Sequence, residues 1–177
     1  MTPDPVNSDS GLHIDIDVRT DAWREQLNDI EAISRRTLDV AWAALEFAPR
    51  SYEVSLVLGD DELQRALNAQ YLGKDTSTNV LSFPSDQLDV DGFPDEAAVP
   101  LGDIILAFET VKFECEKDEV SFSDHFCHLI VHGILHLAGY DHVVSAEAEI
   151  MESLEIEILS KLGIKNPYAD GILLDHG

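Results

Sequence analysis

Seven histidines occur in the chain, and five of them fall between positions 125 and 142. The segment HGILHLAGYDH at 132–142 carries three of the five. His132 and His136 are four residues apart on an expected helix, which puts both imidazoles on one face, close enough to share a metal ion. Gly139 lets the chain leave the helix through a left-handed conformation, so that His142 can swing back with a third nitrogen. A continuous helix would rotate position 142 away from the other two. Three imidazoles leave one position of a tetrahedral ion open, which favours a catalytic site with bound water over a closed structural one. Zinc is the first choice, although copper, nickel and iron also suit imidazole sites. His125 and His128 precede the segment by one or two turns and read as residues supporting the site or as surface residues.

The same offsets, His-x3-His-x2-Gly-x2-His, occur in the long zinc-protease motif, in which a glutamate follows the first histidine as general base. Here that position is Gly133, which cannot carry a proton, so peptide hydrolysis loses its base. Cys115 and Cys127 are the two cysteines of the chain. They make no disulfide framework and read as buried reduced thiols.

The elements that must position these residues follow from periodicity. Leu12, Ile14, Ile16 and Val18 alternate with His13, Asp15 and Asp17, a half-buried strand over 12–18. Thr20 or Asp21 then caps a long helical stretch to about Phe47, stopped by Pro49. Residues 52–58 read as a second strand. Asp60 caps a short helix with Leu63, Leu67 and Tyr71 on one side, ended by Gly73. A third strand covers 78–83 and is closed by Pro84. An acidic loop over 85–100, long for a compact domain, is either mobile or a lid. A fourth strand over 101–107 leads into helices at 108–118 and 123–138. A last helix from Ser145 to Gly163 buries Met151, Leu154, Ile158 and Leu162. Strands interspersed with helices, without strict alternation, predict an α+β fold. Its single mixed four-stranded sheet packs against helices, with the metal site on a helix–turn segment. Residues 1–10 read as a loose tail and 11–177 as one domain.

The 177-residue length suits one domain, and such a chain buries about 70% of its unfolded surface, enough for a core without disulfides. No apolar run is long enough to span a membrane and the N-terminus has no secretory pattern, so the sequence reads as cytoplasmic. Eleven Lys and Arg stand against 35 Asp and Glu, a net charge of −24. Such a surface repels phosphate backbones at long range and argues against tight non-specific nucleic-acid binding, though a local basic patch or bound cation can reverse the sign at one site.

The histidine segment resembles the YbeY family, bacterial rRNA maturation factors described as single-strand-specific endoribonucleases. It matches the family's HGxLHLxGYDH pattern throughout. LN-x2-Y-x-GKD at 67–75, TNVLSFP at 78–84, LGDI at 101–104 and Met-x2-Leu-Glu at 151–155 support the resemblance, which extends over roughly 50–163. It implies an α+β fold, one zinc per chain and a role in RNA processing and ribosome maturation. The family has an arginine after the aromatic residue, where this chain has Leu72. That replacement removes a potential fork for phosphate, while Lys74 is retained as a point charge. Asp103 is a family-matched carboxylate on the fourth strand, and Asn79 and Ser82 either line the cleft or finish the third strand. Asp141 either orients a ligand imidazole or caps the turn.

The leading reading is therefore a zinc-dependent, single-strand-specific endoribonuclease acting in rRNA maturation and ribosome quality control. Its metal ligands are His132, His136 and His142. Lys74, Asp103 and a zinc-bound water are the candidate catalytic groups. Single-stranded RNA or an rRNA precursor is the expected substrate, and the ribosomal subunit or its proteins are the expected partners. Two alternatives stand beside it: a non-catalytic, zinc-stabilised ribosome assembly factor, whose acidic surface suits basic ribosomal proteins, and a zinc hydrolase of another substrate.

Overall fold

The computed structural model describes residues 11–47, 50–73, 78–85, 97–139 and 145–167. Strand β1 (Leu12–Val18) is followed by helices α1 (Ala22–Gln26) and α2 (Ile30–Ala43), strand β2 (Tyr52–Gly59) and helix α3 (Asp61–Leu72). Strands β3 (Val80–Pro84) and β4 (Val99–Ala107) precede helices α4 (Phe108–Asp118), α5 (Phe122–Leu137) and α6 (Ser145–Lys161). The sheet order is β1-β2-β4-β3. β1, β2 and β4 run parallel and β3 lies antiparallel along β4 at the edge. This is the mixed four-stranded sheet that the order of elements predicts, in an α+β arrangement.

The expected long helix after residue 21 is two helices. Asp21 is the N-cap of the first, without a side-chain bond, and Thr20 Oγ1 accepts from the Ala22 amide at 3.4 Å. Leu27 is extended (φ −139°) and breaks the run. The break has a tertiary cause. Trp23 is fully buried, its Nε1–H donates to the Gly59 carbonyl at 3.0 Å, and its ring meets Phe108 edge-on at 5.1 Å. Phe122 and Phe126 complete the cluster. Leaving the helix at Leu27 lets α2 take its own direction across the sheet without pulling Trp23 from this pocket.

β4 starts two residues earlier than the apolar pattern suggests and includes Pro100. The ladder to β2 shifts register between Glu53 and Val54, opposite Pro100. A proline has no amide hydrogen for the ladder, and a bulge is where a sheet tolerates one. Alternation along β4 then divides the fold. Ile104 and Leu106 turn into the core beneath α5, fully buried, while Asp103 and Ile105 face a groove on the opposite side, which Leu63, Leu67 and Tyr71 of α3 also line. Leu12, Val54, Leu56 and Leu58 extend the core under the helices. Cys115 and Cys127 are both buried thiols, as expected. The tail and most of the acidic loop lie outside the described residues.

Candidate metal centre

α5 brings the histidines together. Ser121 caps its start, accepting from the Asp124 amide at 3.0 Å, and Gly139, at φ +100°, follows its end. The helix lies close to the sheet because position 133 has no side chain. A Cβ there would stand 2.9 Å from Ile104 Cγ2 and 3.3 Å from Ser82 Oγ. The residue that rules out the protease base is thus the residue that lets α5 seat on β4. Ser82 completes the contact by donating to the Gly133 carbonyl at 3.3 Å.

His125, His128, His132 and His136 fall three or four residues apart and form one stripe along α5. His125, His128 and His132 are buried. Two carboxylates meet the stripe. Glu114 of α4 accepts from His125 Nε2 at 2.8 Å and from Asn79 Nδ2 at 3.1 Å. Glu155 of α6 is almost fully buried, and its Oε2 accepts from His128 Nε2 and His132 Nδ1, each at 3.0 Å. Burial by itself would push the Glu155 carboxyl up. The hydrogen bonds from His128 and His132 outweigh it and hold the group well below the usual carboxylate range. Burial pushes His128 down, against the pull of Glu155. The result is an ionised carboxylate receiving two N–H bonds from imidazoles.

That arrangement fixes the chemistry of His132. With its proton on Nδ1, shared with Glu155, a neutral His132 has its lone pair on Nε2. Nε2 of His136 stands 3.1 Å from it. Two nitrogens bound to one tetrahedral zinc at about 2.0–2.1 Å are about 3.3 Å apart. The two nitrogens therefore already converge to nearly the spacing of ligands on one ion. His136 lies in the last turn of α5, where the carbonyl end of the helix dipole favours a cation. The donor set fits zinc: two imidazole nitrogens, one oriented by a buried carboxylate in the manner of metal-bound histidines. His142 lies outside the described residues, and among those described no group of three His, Cys, Asp or Glu side chains forms a complete metal site.

The other sequence candidates separate. Lys74 and Asp141 lie outside the described residues, as does the side chain of Leu72. Asp103 is exposed and faces the groove, while its neighbour Ile104 packs against Gly133 on the histidine side. The sheet stands between Asp103 and the histidines. Asn79 is buried, with its amide on Glu114, so Asn79 and Ser82 tie β3 to α4 and α5. Glu155 and Glu114 carried no role in the sequence reading. The signal for Glu155 was a lone acid on the apolar face of α6, with Met151 four residues before it and Ile158 three after. His125 and His128 prove to be buried supports and not surface residues.

Among the described residues, no helix is long and apolar enough to cross a membrane. The profile of the family described as Endoribonuclease YbeY matches residues 15–163. A curated protein of Paramagnetospirillum magneticum named Endoribonuclease YbeY is 44% identical over 161 residues, covering 90% of this chain and 97% of its own length. One of Bartonella henselae with the same name is 46% identical over 159 residues, covering 90% and 98%. A solution structure of a Thermotoga maritima protein aligns over 85% of this chain and 91% of its own, with 23% identity and a TM-score of 0.45.

Proposed function

We propose that this chain, which belongs to the YbeY family of endoribonucleases, cleaves phosphodiester bonds of single-stranded RNA during rRNA maturation, with a zinc ion held by His132, His136 and His142. The observation that carries the reading is the approach of His132 Nε2 and His136 Nε2 to 3.1 Å with Glu155 bonded behind His132. When bound, zinc would supply Lewis-acid polarisation of a phosphate oxygen and a water of lowered pKa. The chain's own residues do the rest. Glu155 holds the Nδ1 proton of His132 and so keeps Nε2 available as a donor. His128 gives Glu155 its second hydrogen bond and holds the carboxylate in place. Gly133 and Ser82 seat α5 on the sheet and set the depth of both ligands. Lys74 is assigned to the phosphate charge, and Asp103, on the far face, serves the groove and not the metal.

The test is incubation of zinc-loaded, nuclease-free protein with single-stranded and duplex RNA, beside a His136→Ala variant. Cleavage of the single strand by the wild type, lost with zinc in the variant, is expected. Zinc retained without cleavage would favour the non-catalytic assembly role, which the leucine at position 72 and the net charge of −24 make the second reading.

A further inference from the structure

Tyr71, in the last turn of α3, is 61% exposed, among the large side chains that the core leaves outside. A single exposed aromatic is ordinary, but Tyr71 does not stand alone. Its ring lies 5.4 Å from that of Phe83 on β3, at an angle of 51°. Both rings line the groove on the face of the sheet away from α5, which has a volume of about 920 Å³. We propose that Tyr71 and Phe83 form a stacking platform for one unpaired base of single-stranded RNA.

The placement of the pair supports this. β3 is one of the two edge strands. A side chain at Gly102 would collide with the Phe83 carbonyl and stand 2.9 Å from Pro84 Cα and 3.0 Å from Leu137 Cδ2. The end of β3, the start of β4 and the last turn of α5 therefore meet at one point, and Leu137 follows the ligand His136 directly. A strand of RNA laid over this edge has a base on the aromatic pair and its backbone turned toward the histidines.

Charge decides which part of the nucleotide enters the groove. Asp15, Glu53 and Asp103 line it, and Arg19, which lines it too, is ion-paired with Asp17. A phosphate is repelled from such a surface, whereas a neutral base is not. Aromatic stacking is also tolerant of sequence, since every base has a π face. A duplex keeps its bases stacked on one another, so the platform discriminates in favour of single strands. The inference rests on the RNA reading above.

The experiment uses the zinc-loaded full chain and a short single-stranded RNA. Tyr71→Ala should weaken binding roughly 5- to 100-fold, with zinc content unchanged, and Tyr71→Phe should retain it. Against the same oligonucleotide made abasic, wild type and Tyr71→Ala should bind alike. Tyr71→Trp adds an exposed indole to the buried Trp23 and Trp42, and its emission should be quenched by RNA, a readout that holds even if Tyr71→Ala lowers the melting temperature. Wild-type binding that Tyr71→Ala leaves intact, or an indole that RNA does not quench, overturns the platform alone. A wild-type protein that binds no single-stranded RNA overturns the RNA reading and the platform with it.

Discussion

Replacing Glu155 with glutamine keeps its shape and removes its charge. In the native protein one oxygen of Glu155 accepts two hydrogen bonds from buried imidazoles, at 3.0 Å each. Charge-assisted bonds contribute about 1.5–3 kcal/mol each and neutral ones about 0.5–1.5, so the exchange weakens the pair by about 2–3 kcal/mol. Relief of carboxylate desolvation returns part of this, leaving an expected loss of about 1–2 kcal/mol in the metal-free protein. Glu155→Ala leaves both N–H groups without this acceptor, at about 1–3 kcal/mol each, and opens a cavity besides. The separate consequence is for zinc. Without the carboxylate, His132 is no longer held with its proton on Nδ1, and loss of such a partner costs about 10–100-fold in metal affinity. Denaturant unfolding in chelator measures the first effect, and competition with a chromophoric zinc chelator measures the second. A Glu155→Gln protein that is destabilised yet binds zinc within about threefold of wild type would refute the orienting role. It would leave Glu155 as a packing group between α5 and α6.

Three further outcomes are expected. Leu72→Arg should raise RNA cleavage roughly tenfold at matched zinc content, since a guanidinium fork grips two phosphate oxygens; unchanged cleavage in a rate assay would count against it. Gly133→Ala gains about 1 kcal/mol of helix propensity but forces a methyl to 2.9 Å from the buried, branched Ile104, an overpacking cost of about 1–3 kcal/mol; urea unfolding should show no stabilisation, and a gain of the full propensity term would refute the close seating. Burial, with the Glu114 charge adding to it, pushes the Cys115 thiol up to about 12 from 9.0, so it should resist thiol reagents at pH 8 until the protein unfolds. The folded state favours the neutral thiol, so its contribution to stability is complete below pH 9 and is lost as pH rises toward 12; a Cys115→Ala variant should lack that part of the alkaline decline.

What sequence reasoning reaches here is whatever local periodicity encodes. β1 follows from strict alternation over 12–18, and the cap and stop of α3 from Asp60 and Gly73. The His132–His136 pair follows from the 3.6-residue turn. The break at Leu27 was hidden because no Gly or Pro marks it. Its cause is the bond from Trp23 to Gly59, 36 residues away. The insertion of β4 between β2 and β3 was likewise not local. Asp103 shows the limit from the other side. The resemblance of LGDI at 101–104 makes it a candidate catalytic group, but one residue along a strand reverses the face. Ile104 meets α5 while Asp103 looks away. Glu155 was within reach: a carboxylate in register with Met151 and Ile158 has to find buried donors, and a histidine stripe on a neighbouring helix supplies them.

The acidity of the chain and an RNA substrate are reconciled by the same geometry. A net charge of −24 repels a polyanion at distances up to the Debye length, about 8 Å at physiological salt. Attraction must therefore come from short-range contacts. The zinc proposed at the converging nitrogens of His132 and His136 would reverse the field locally, and at the C-terminal end of α5 the helix dipole would add to its retention. Stacking on Tyr71 and Phe83 needs no charge at all. If, as the resemblance implies, an arginine belongs where this chain has Leu72, one electrostatic grip on phosphate is missing and the burden on these two proposed contacts is greater. Loss of the aromatic ring at position 71 should therefore hurt binding more here than in a Leu72→Arg background. Measuring Tyr71→Ala in both backgrounds tests that coupling. Equal losses would show that stacking and phosphate binding act independently and that acidity places no special demand on the platform.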